Sequence, residues 1–336
     1  MKTNRYHQNL MSAYKSLDLD LDFKAYPEDF LVEEELSFSC SGEGEHFYIQ
    51  IRKTQLTTLS VAEQLSKWAK VSPKNISYAG LKDKQGITDQ WFSIWLPGKT
   101  LPERPPNVTG IEFLLITRHS KKLKRGSIKE NRFTVRLRGE NIDSELISNR
   151  LELIKMNGVP NYYGSQRFGR NQDNVDVALL HLSGQKIKRQ ERSILISSVR
   201  SFLYNLALSM KVKDNTWREV VTGQPLQLFG SRSWFVSEGS QEEVDRVNLG
   251  DCSPTTELYS NELVGYDTQR DAIFESFPEL TDLLEKFDLK RDLRPNILRP
   301  FNLSYSMDDA GLTVKFSLLT GAYATSLLRE LTNKIN

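Results

Sequence analysis

An α+β fold interrupted by an inserted domain is what the sequence predicts, and three observations predict it. The early part of the chain is rich in short alternating, strand-like runs. After Pro160 helical periodicity dominates. From Leu312 strand alternation returns, and a last helix over 322–333 follows. A β-rich beginning, a helical middle and a β-then-α ending read as one α+β domain with a second domain set into it.

Taken in order, residues 21–35 read as an extended segment, a turn at Pro27 and a short strand over 30–34. The run 46–53 alternates, with Phe47, Ile49 and Ile51 on one face and Tyr48, Gln50 and Arg52 on the other. That is a half-buried strand. A helix is expected from about Ser60, where Ser60 and Glu63 have capping-box spacing and Val61, Leu65 and Trp68 share a face. Pro73 ends it. Two strands, 76–79 and 91–96, flank a polar turn that Gly80 and Gly86 bracket, supplying backbone freedom for a sharp bend. The proline-rich loop 97–106 forbids regular structure.

Residues 133–138 form another alternating strand, and Leu146, Ile147, Leu151 and Ile154 make one side of a helix that Gly158 terminates. The clearest helical signal is 193–213, where Leu195, Val199, Phe202, Leu203, Leu206 and Met210 form an apolar stripe. Such a stripe reads as core. The chain stays mostly helix and loop through Pro300.

Composition narrows the function classes. The 336 residues are 38% hydrophobic and 26% charged, with mean hydropathy −0.47, as in a soluble globular protein of two domains. No apolar run approaches a membrane span, and the first 23 residues lack the apolar core of a secretory leader. Cys40 and Cys252, the only cysteines, read as free thiols in a reducing cytosol. His7, His46, His119 and His181 are scattered without ligand spacing, so no metal is expected. Net charge is only +2 but is unevenly spread. Residues 18–45 are acidic with Lys24 as the only base, while 118–138 is crowded with Lys and Arg against Glu130 alone. A solvated face is the ordinary reading of a basic run. The alternating strand inside it suggests a shaped surface suited to a polyanion.

The polar turn between the two strands carries Asp83 between Lys82 and Lys84. A carboxylate flanked by two ammonium groups stays ionised at neutral pH, as a nucleophile or general base must. A charged hairpin tip in solvent is the plain alternative.

Six stretches decide the matter: KAYPEDFLVEE (24–34), GEGEHFYIQIRK (42–53), YAGLKDKQGITDQWFS (78–93), GSIKENRFTVRLRG (126–139), GVPNYYGSQRFGR (158–170) and GAYATSLLREL (321–331). GLKDKQG alone is a weak signal; six pieces in order, spanning nearly the whole chain, resemble the TruD-type pseudouridine synthases. The resemblance implies a catalytic domain built on a mixed, mainly antiparallel sheet, formed by 1–157 and 304–336. An inserted, largely helical α/β domain would occupy 158–303. It also implies an isomerase that converts uridine to pseudouridine in RNA, above all uridine 13 of transfer RNA. It would work in the cytoplasm without cofactor or metal, and as a monomer by default.

That reaction breaks the bond between ribose C1′ and uracil N1, turns the ring, and joins C1′ to C5. Nothing is added or removed, so an aspartate suffices as the reactive group. By resemblance Asp83 is that group, whether it attacks C1′, attacks C6 or removes a sugar proton. Lys82 and Lys84 neighbour it in extended backbone and point away from its side. Lys24, in the KAYPEDF-like element, resembles the basic partner instead; an exposed lysine at the sheet edge is its plain alternative. The target base must be flipped out of its stack. The family's Asn-x-Phe pattern, present as Asn131-Arg132-Phe133, implies polar contacts from Asn131 and a ring face for the uracil from Phe133. A core phenylalanine is the competing reading.

The stretch 161–170 pairs aromatics with arginines. It either stacks on bases and binds phosphates, with Arg167 touching substrate, or forms a domain-junction core with Arg167 bonded internally. Two rival functions remain: a non-catalytic RNA-binding protein on the same scaffold, and a nuclease or base-removing glycosylase using a lone carboxylate.

Overall fold

The structure, a computed structural model, describes residues 6, 8–140, 142–169, 171–182 and 188–332. The chain divides into two compact units. One comprises Asp20–Ser144 and Phe301–Gly321; the other comprises Met1–Leu19, Glu145–Pro300 and Ala322–Asn336. These divisions fall at other places than the domains expected from sequence: 1–19, 145–157 and 322–336 group with most of 158–303.

The first unit is a sheet. Its strands are β1 (Asp22–Phe23), β2 (Phe30–Leu36), β3 (His46–Thr54), β4 (Ile76–Tyr78), β5 (Ile87–Trp95), β6 (Ile111–His119), β7 (Ile128–Arg138), β8 (Phe301–Asp308) and β9 (Gly311–Leu319). Among the described residues the order is β8-β9-β7-β2-β5-β3-β6, with β1 on β7 and β4 on β5. Among these described strands only β2 and β5 pair in parallel; their other pairings are antiparallel. This is the mixed, mainly antiparallel sheet of an α+β fold.

Alternation sets which side chains go inward. On β7 Asn131, Phe133, Val135 and Leu137 are buried, and the register sets Glu34 opposite Asn131 and Val32 opposite Phe133. On β3 Ile49 and Ile51 face α1 (Thr58–Ala69), whose Val61 and Leu65 complete a cluster with Phe92 and Ile94 of β5. Burial of each such side chain is worth about 1.5–3 kcal/mol.

The departures from the sequence reading are local. The cap of α1 is Thr57, whose hydroxyl accepts the Ser60 N–H, so the Ser60–Glu63 pair is not the cap. The helix stops at Ala69 because Lys70 turns left-handed at φ 53°, before Pro73 is reached. Tyr48, expected on an exposed face, is fully buried beside Trp91, Leu123 and Ile128. β5 starts at Ile87 rather than 91. Strands β6 and β8 went unforecast; on β6 the run Leu114, Leu115, Ile116 hides the alternation.

The second unit is built on α3 (Arg189–Lys213), which follows α2 (Asn174–Leu182). Leu195, Val199, Phe202 and Leu203 of α3 pack with Val175 and Ala178 of α2 and with Leu280, Leu283 and Leu284 near residue 280. By length and composition α3 could cross a membrane, yet 61% of that stretch is buried within the protein, as in a core helix. The middle of the chain is less helical than its periodicity suggests. Strands Trp234–Val236, Pro225–Leu228, Cys252–Leu258 and Asp292–Pro295 form a sheet in that order. All of Cys252–Leu258 is buried, Thr255, Thr256 and Glu257 included, so no alternation marks it. The last helix is shorter than 322–333: it runs Ala324–Leu328, and Asn333 lies outside the described residues.

Candidate active site

Asp83 lies in the loop between β4 and β5, and four hydrogen bonds fix that loop. Gln90 Nε2 donates to the Gly80 carbonyl (2.9 Å), and the Lys82 N–H donates to Thr58 Oγ1 (2.9 Å). Lys53 Nζ donates to the carbonyl of Asp83 itself (2.5 Å), and the Gln55 N–H to that of Gly86 (3.2 Å). Gly86 sits at φ 109°, where a Cβ would lie 2.5 Å from the Phe30 carbonyl oxygen, so only glycine fits. Gly80 has no such need, with open space around it and an ordinary φ. Of the two bracketing glycines only Gly86 is required by the backbone.

Among the described residues the carboxylate forms an ion pair with one cation. Lys24 Nζ is 2.7 Å from Asp83 Oδ2, with the lysine side chain 14% and the aspartate 30% exposed. Lys24 holds φ 58°, a conformation rare outside glycine and one that clusters at functional sites. Its ammonium lies over the rings of Phe30 (4.1 Å) and Phe23 (5.0 Å), so cation–π attraction holds it as well.

Lys82 turns away from Asp83, as adjacent side chains must, and donates to Asn131 Oδ1; it also pairs with Glu34 Oε1 at 3.2 Å. Glu34 is buried, and its other oxygen accepts the Trp91 N–H at 2.9 Å. Burial pushes the Glu34 carboxyl above its ordinary pKa, with Lys82 pulling against it.

Lys53 is fully buried. Burial pushes its pKa down to about 8, while the Asp83 charge pulls it up. Besides Asp83 it bonds the Leu56 carbonyl at 2.9 Å. Sequence reasoning missed both Lys53 and Glu34, although a signal existed. Phe47, Ile49 and Ile51 mark the core face of β3, and position 53 continues it. Phe30, Val32 and position 34 do the same on β2.

Phe133 is 8% exposed, stacked on Phe316 at 5.2 Å with 16° between planes and tilted against Phe30 at 6.0 Å. The structure therefore brings together four of the expected residues within the sheet unit. Lys24 touches Asp83 directly; Asn131 is tied in through Lys82, and Phe133 through Phe30. Arg167 belongs to the second unit. There its Nε donates to Ser201 Oγ (3.1 Å), its Nη2 to Ser197 Oγ, and its guanidinium lies 5.3 Å from the Tyr163 ring. Arg170 of the same stretch, like His7, lies outside the described residues. Among the described residues no three of His, Cys, Asp and Glu gather to hold a metal ion. The arrangement offers a half-buried carboxylate aimed by one ammonium beside an aromatic bed and a side-chain amide. It suits attack on, or proton removal from, a flat heterocyclic substrate.

Comparison with known proteins bears on the family of the whole chain. A family model described as tRNA pseudouridine synthase D (TruD) matches residues 11–187 and 180–331. The tRNA pseudouridine synthase D of Legionella pneumophila (strain Lens) is 40% identical over 336 residues, covering 97% of this chain and 99% of that one. That of Mannheimia succiniciproducens is 36% identical over 316 residues, covering 92% and 94%. A crystal structure of the TruD protein from Methanosarcina mazei superposes with a TM-score of 0.69 at 19% identity, covering 95% of each chain. At that identity the likeness speaks for the fold alone.

Proposed function

The chain belongs to the tRNA pseudouridine synthase D (TruD) family, and from that premise we propose that it isomerises uridine 13 of transfer RNA to pseudouridine with Asp83 as the reactive group. It is an isomerase, of the intramolecular transferase kind. The observation that carries the site reading is the Lys24–Asp83 ion pair, set beside Asn131 and the Phe30–Phe133–Phe316 rings.

In this reading the uridine leaves its stack and its uracil lies beside Phe133, where an aromatic face is worth about 1–3 kcal/mol per base. Asn131 serves the polar edge of the ring. Asp83 then opens the reaction at C1′, at C6 or at a sugar proton. The C1′–N1 bond breaks, the ring turns, C1′ joins C5, the C5 proton leaves and N1 gains one. Lys24 keeps the carboxylate aimed throughout, and the four bonds to the loop hold its backbone still. Arg167, with Nε and Nη2 spent on Ser201 and Ser197 of the second unit, would have only its remaining nitrogen to offer the RNA. The protein is taken to act in the cytoplasm, as a monomer and without a cofactor.

Incubation with unmodified transfer RNA, followed by position-resolved pseudouridine mapping, tests this. Pseudouridine at position 13 with the strand intact is expected. Binding without conversion would leave an RNA-binding protein, and free uracil or strand scission would mark a hydrolase.

A further inference from the structure

We propose that the sheet unit carries a second nucleotide site, on the sheet face opposite Asp83, formed by Phe38, Tyr48, His119, Lys121, Lys122 and Lys124. The ligand chemistry is an aromatic base bearing a phosphate, supplied either as a free mononucleotide or as one residue of an RNA strand. The RNA source rests on the function proposed above; the free-nucleotide source does not.

The site is a cleft of about 450 Å³, within the range of small-ligand pockets. Tyr48 projects from β3 on the side opposite Ile49, Ile51 and Lys53, because side chains alternate along a strand. Lys53 lies five positions further on, about 16 Å along the strand, so the cleft is distinct from the Asp83 site. Its floor is aromatic. Phe38 and His119 stack at 4.7 Å with 22° between planes, and Tyr48 meets both edge-on, at 6.1 and 5.3 Å.

Its rim is cationic and rigid. Leu123, 1% exposed, pins the basic loop into the core, and its N–H donates to Ser93 Oγ at 3.1 Å. The Lys124 N–H donates to Ser127 Oγ and the Ser127 N–H to the Lys124 carbonyl, both at 3.1 Å, closing the turn. Lys121, Lys122 and Lys124 are left exposed around the cleft.

Two donors beside the cleft have no hydrogen-bond acceptor among the described residues. The Tyr48 hydroxyl is buried on a fully buried residue and has no hydrogen-bond partner among the described residues. A buried polar group without a partner calls for an explanation. Burial, with Cys40 adding to it, pushes that phenol up to about 12, so it stays a neutral donor. His119 accepts the Ser41 N–H at Nδ1 (3.3 Å), which leaves Nε2 as the ring nitrogen that can donate. Aromatic faces, ammonium groups and hydrogen-bond donors together are what a base with its phosphate requires.

The test titrates adenosine 5′-monophosphate, and separately unmodified transfer RNA, into the full chain. The imidazole signal of His119, assigned with His119→Ala, is followed together with affinity. If the ligand is a free nucleotide, the monophosphate shifts His119 saturably, and adenosine or inorganic phosphate binds about tenfold more weakly or worse. If it is an RNA residue, transfer RNA shifts His119, and His119→Ala weakens RNA affinity about fivefold to a hundredfold, the worth of one stacked base. Lys121→Ala/Lys122→Ala/Lys124→Ala weakens the ligand in either case, and Tyr48→Phe, which keeps the ring, weakens it without lowering the thermal midpoint. The proposal is overturned if neither ligand moves His119, or if only the lysine variant loses affinity, which would leave a merely basic surface. Should the wild type form no pseudouridine in transfer RNA, the function fails while the mononucleotide arm still decides the site.

Discussion

Lys24 Nζ and Asp83 Oδ2 lie 2.7 Å apart although 59 residues separate them in the chain. The pairing follows from topology. Lys24 precedes β2 and Asp83 precedes β5, and those are the two strands that run in parallel, so the segments leading into them arrive at the same end of the sheet. A parallel pair is thus the device that joins carboxylate to ammonium.

Asp83→Asn is expected to lower single-turnover pseudouridine formation about a thousandfold or more. RNA affinity should stay within about tenfold, because binding is spread over many phosphate contacts. Rate and affinity measured on the same folded variant check this; near-wild-type turnover would remove Asp83 from its assigned role.

The two glycines of the loop should part company. Gly86→Ala places a Cβ against the Phe30 carbonyl at a positive φ, and a cost of about 1–2 kcal/mol or more is expected. Gly80→Ala meets nothing and should change stability by no more than about 1 kcal/mol. Urea unfolding of both variants is the measurement, and equal losses would contradict the geometry.

Lys53 gives a pH signature. In the fold it releases its proton near pH 8, whereas its ordinary value is 10.5. Between those values the unfolded chain holds more protons, so this group makes the fold more stable as pH rises through the window, and its contribution is flat below it. The slope cannot exceed about 1.4 kcal/mol per pH unit for one group. Lys53→Met should remove that rise. Stability curves of variant and wild type that stay parallel from pH 8 to 10.5 would refute the buried-lysine assignment.

Phe133→Ala combines two losses. Removing a ring stacked on Phe316 should cost about 3–5 kcal/mol of stability, and the folded fraction should still react more slowly than wild type while binding RNA better than it reacts. Phe133→Tyr keeps the ring and should be much milder on both counts, provided its hydroxyl finds a partner. A destabilised Phe133→Ala protein that reacts at the wild-type rate per folded molecule would leave Phe133 a core residue only.

What was legible in the sequence was whatever periodicity or a motif could carry. The strands around 30, 46 and 133 and the long helix ending at Lys213 alternate or repeat clearly, and all appear. The strand Cys252–Leu258 is buried on both faces and polar in part, so it carried no alternation to read. Asp83, Lys24, Asn131 and Phe133 came from motif resemblance. Lys53 and Glu34 escaped because a charge on a core face looks like a break in the pattern, and only tertiary partners turn it into a feature. The unit boundaries escaped because 1–19 and 322–332 join their unit through contacts such as the Ala13 N–H on Glu330, across 317 residues.

The position of β7 between β2 and β9 has a cost during synthesis. On the ribosome β2 and β7 emerge early, but Gly311, the start of β9, follows Arg138 by roughly 170 residues, a wait of about ten to thirty seconds at ordinary elongation rates. Until then one edge of β7 offers bare backbone groups to any other extended chain, and Phe133 lacks the ring of Phe316. A nascent or truncated chain ending before residue 311 therefore presents an unpaired strand edge of the kind that invites misassembly.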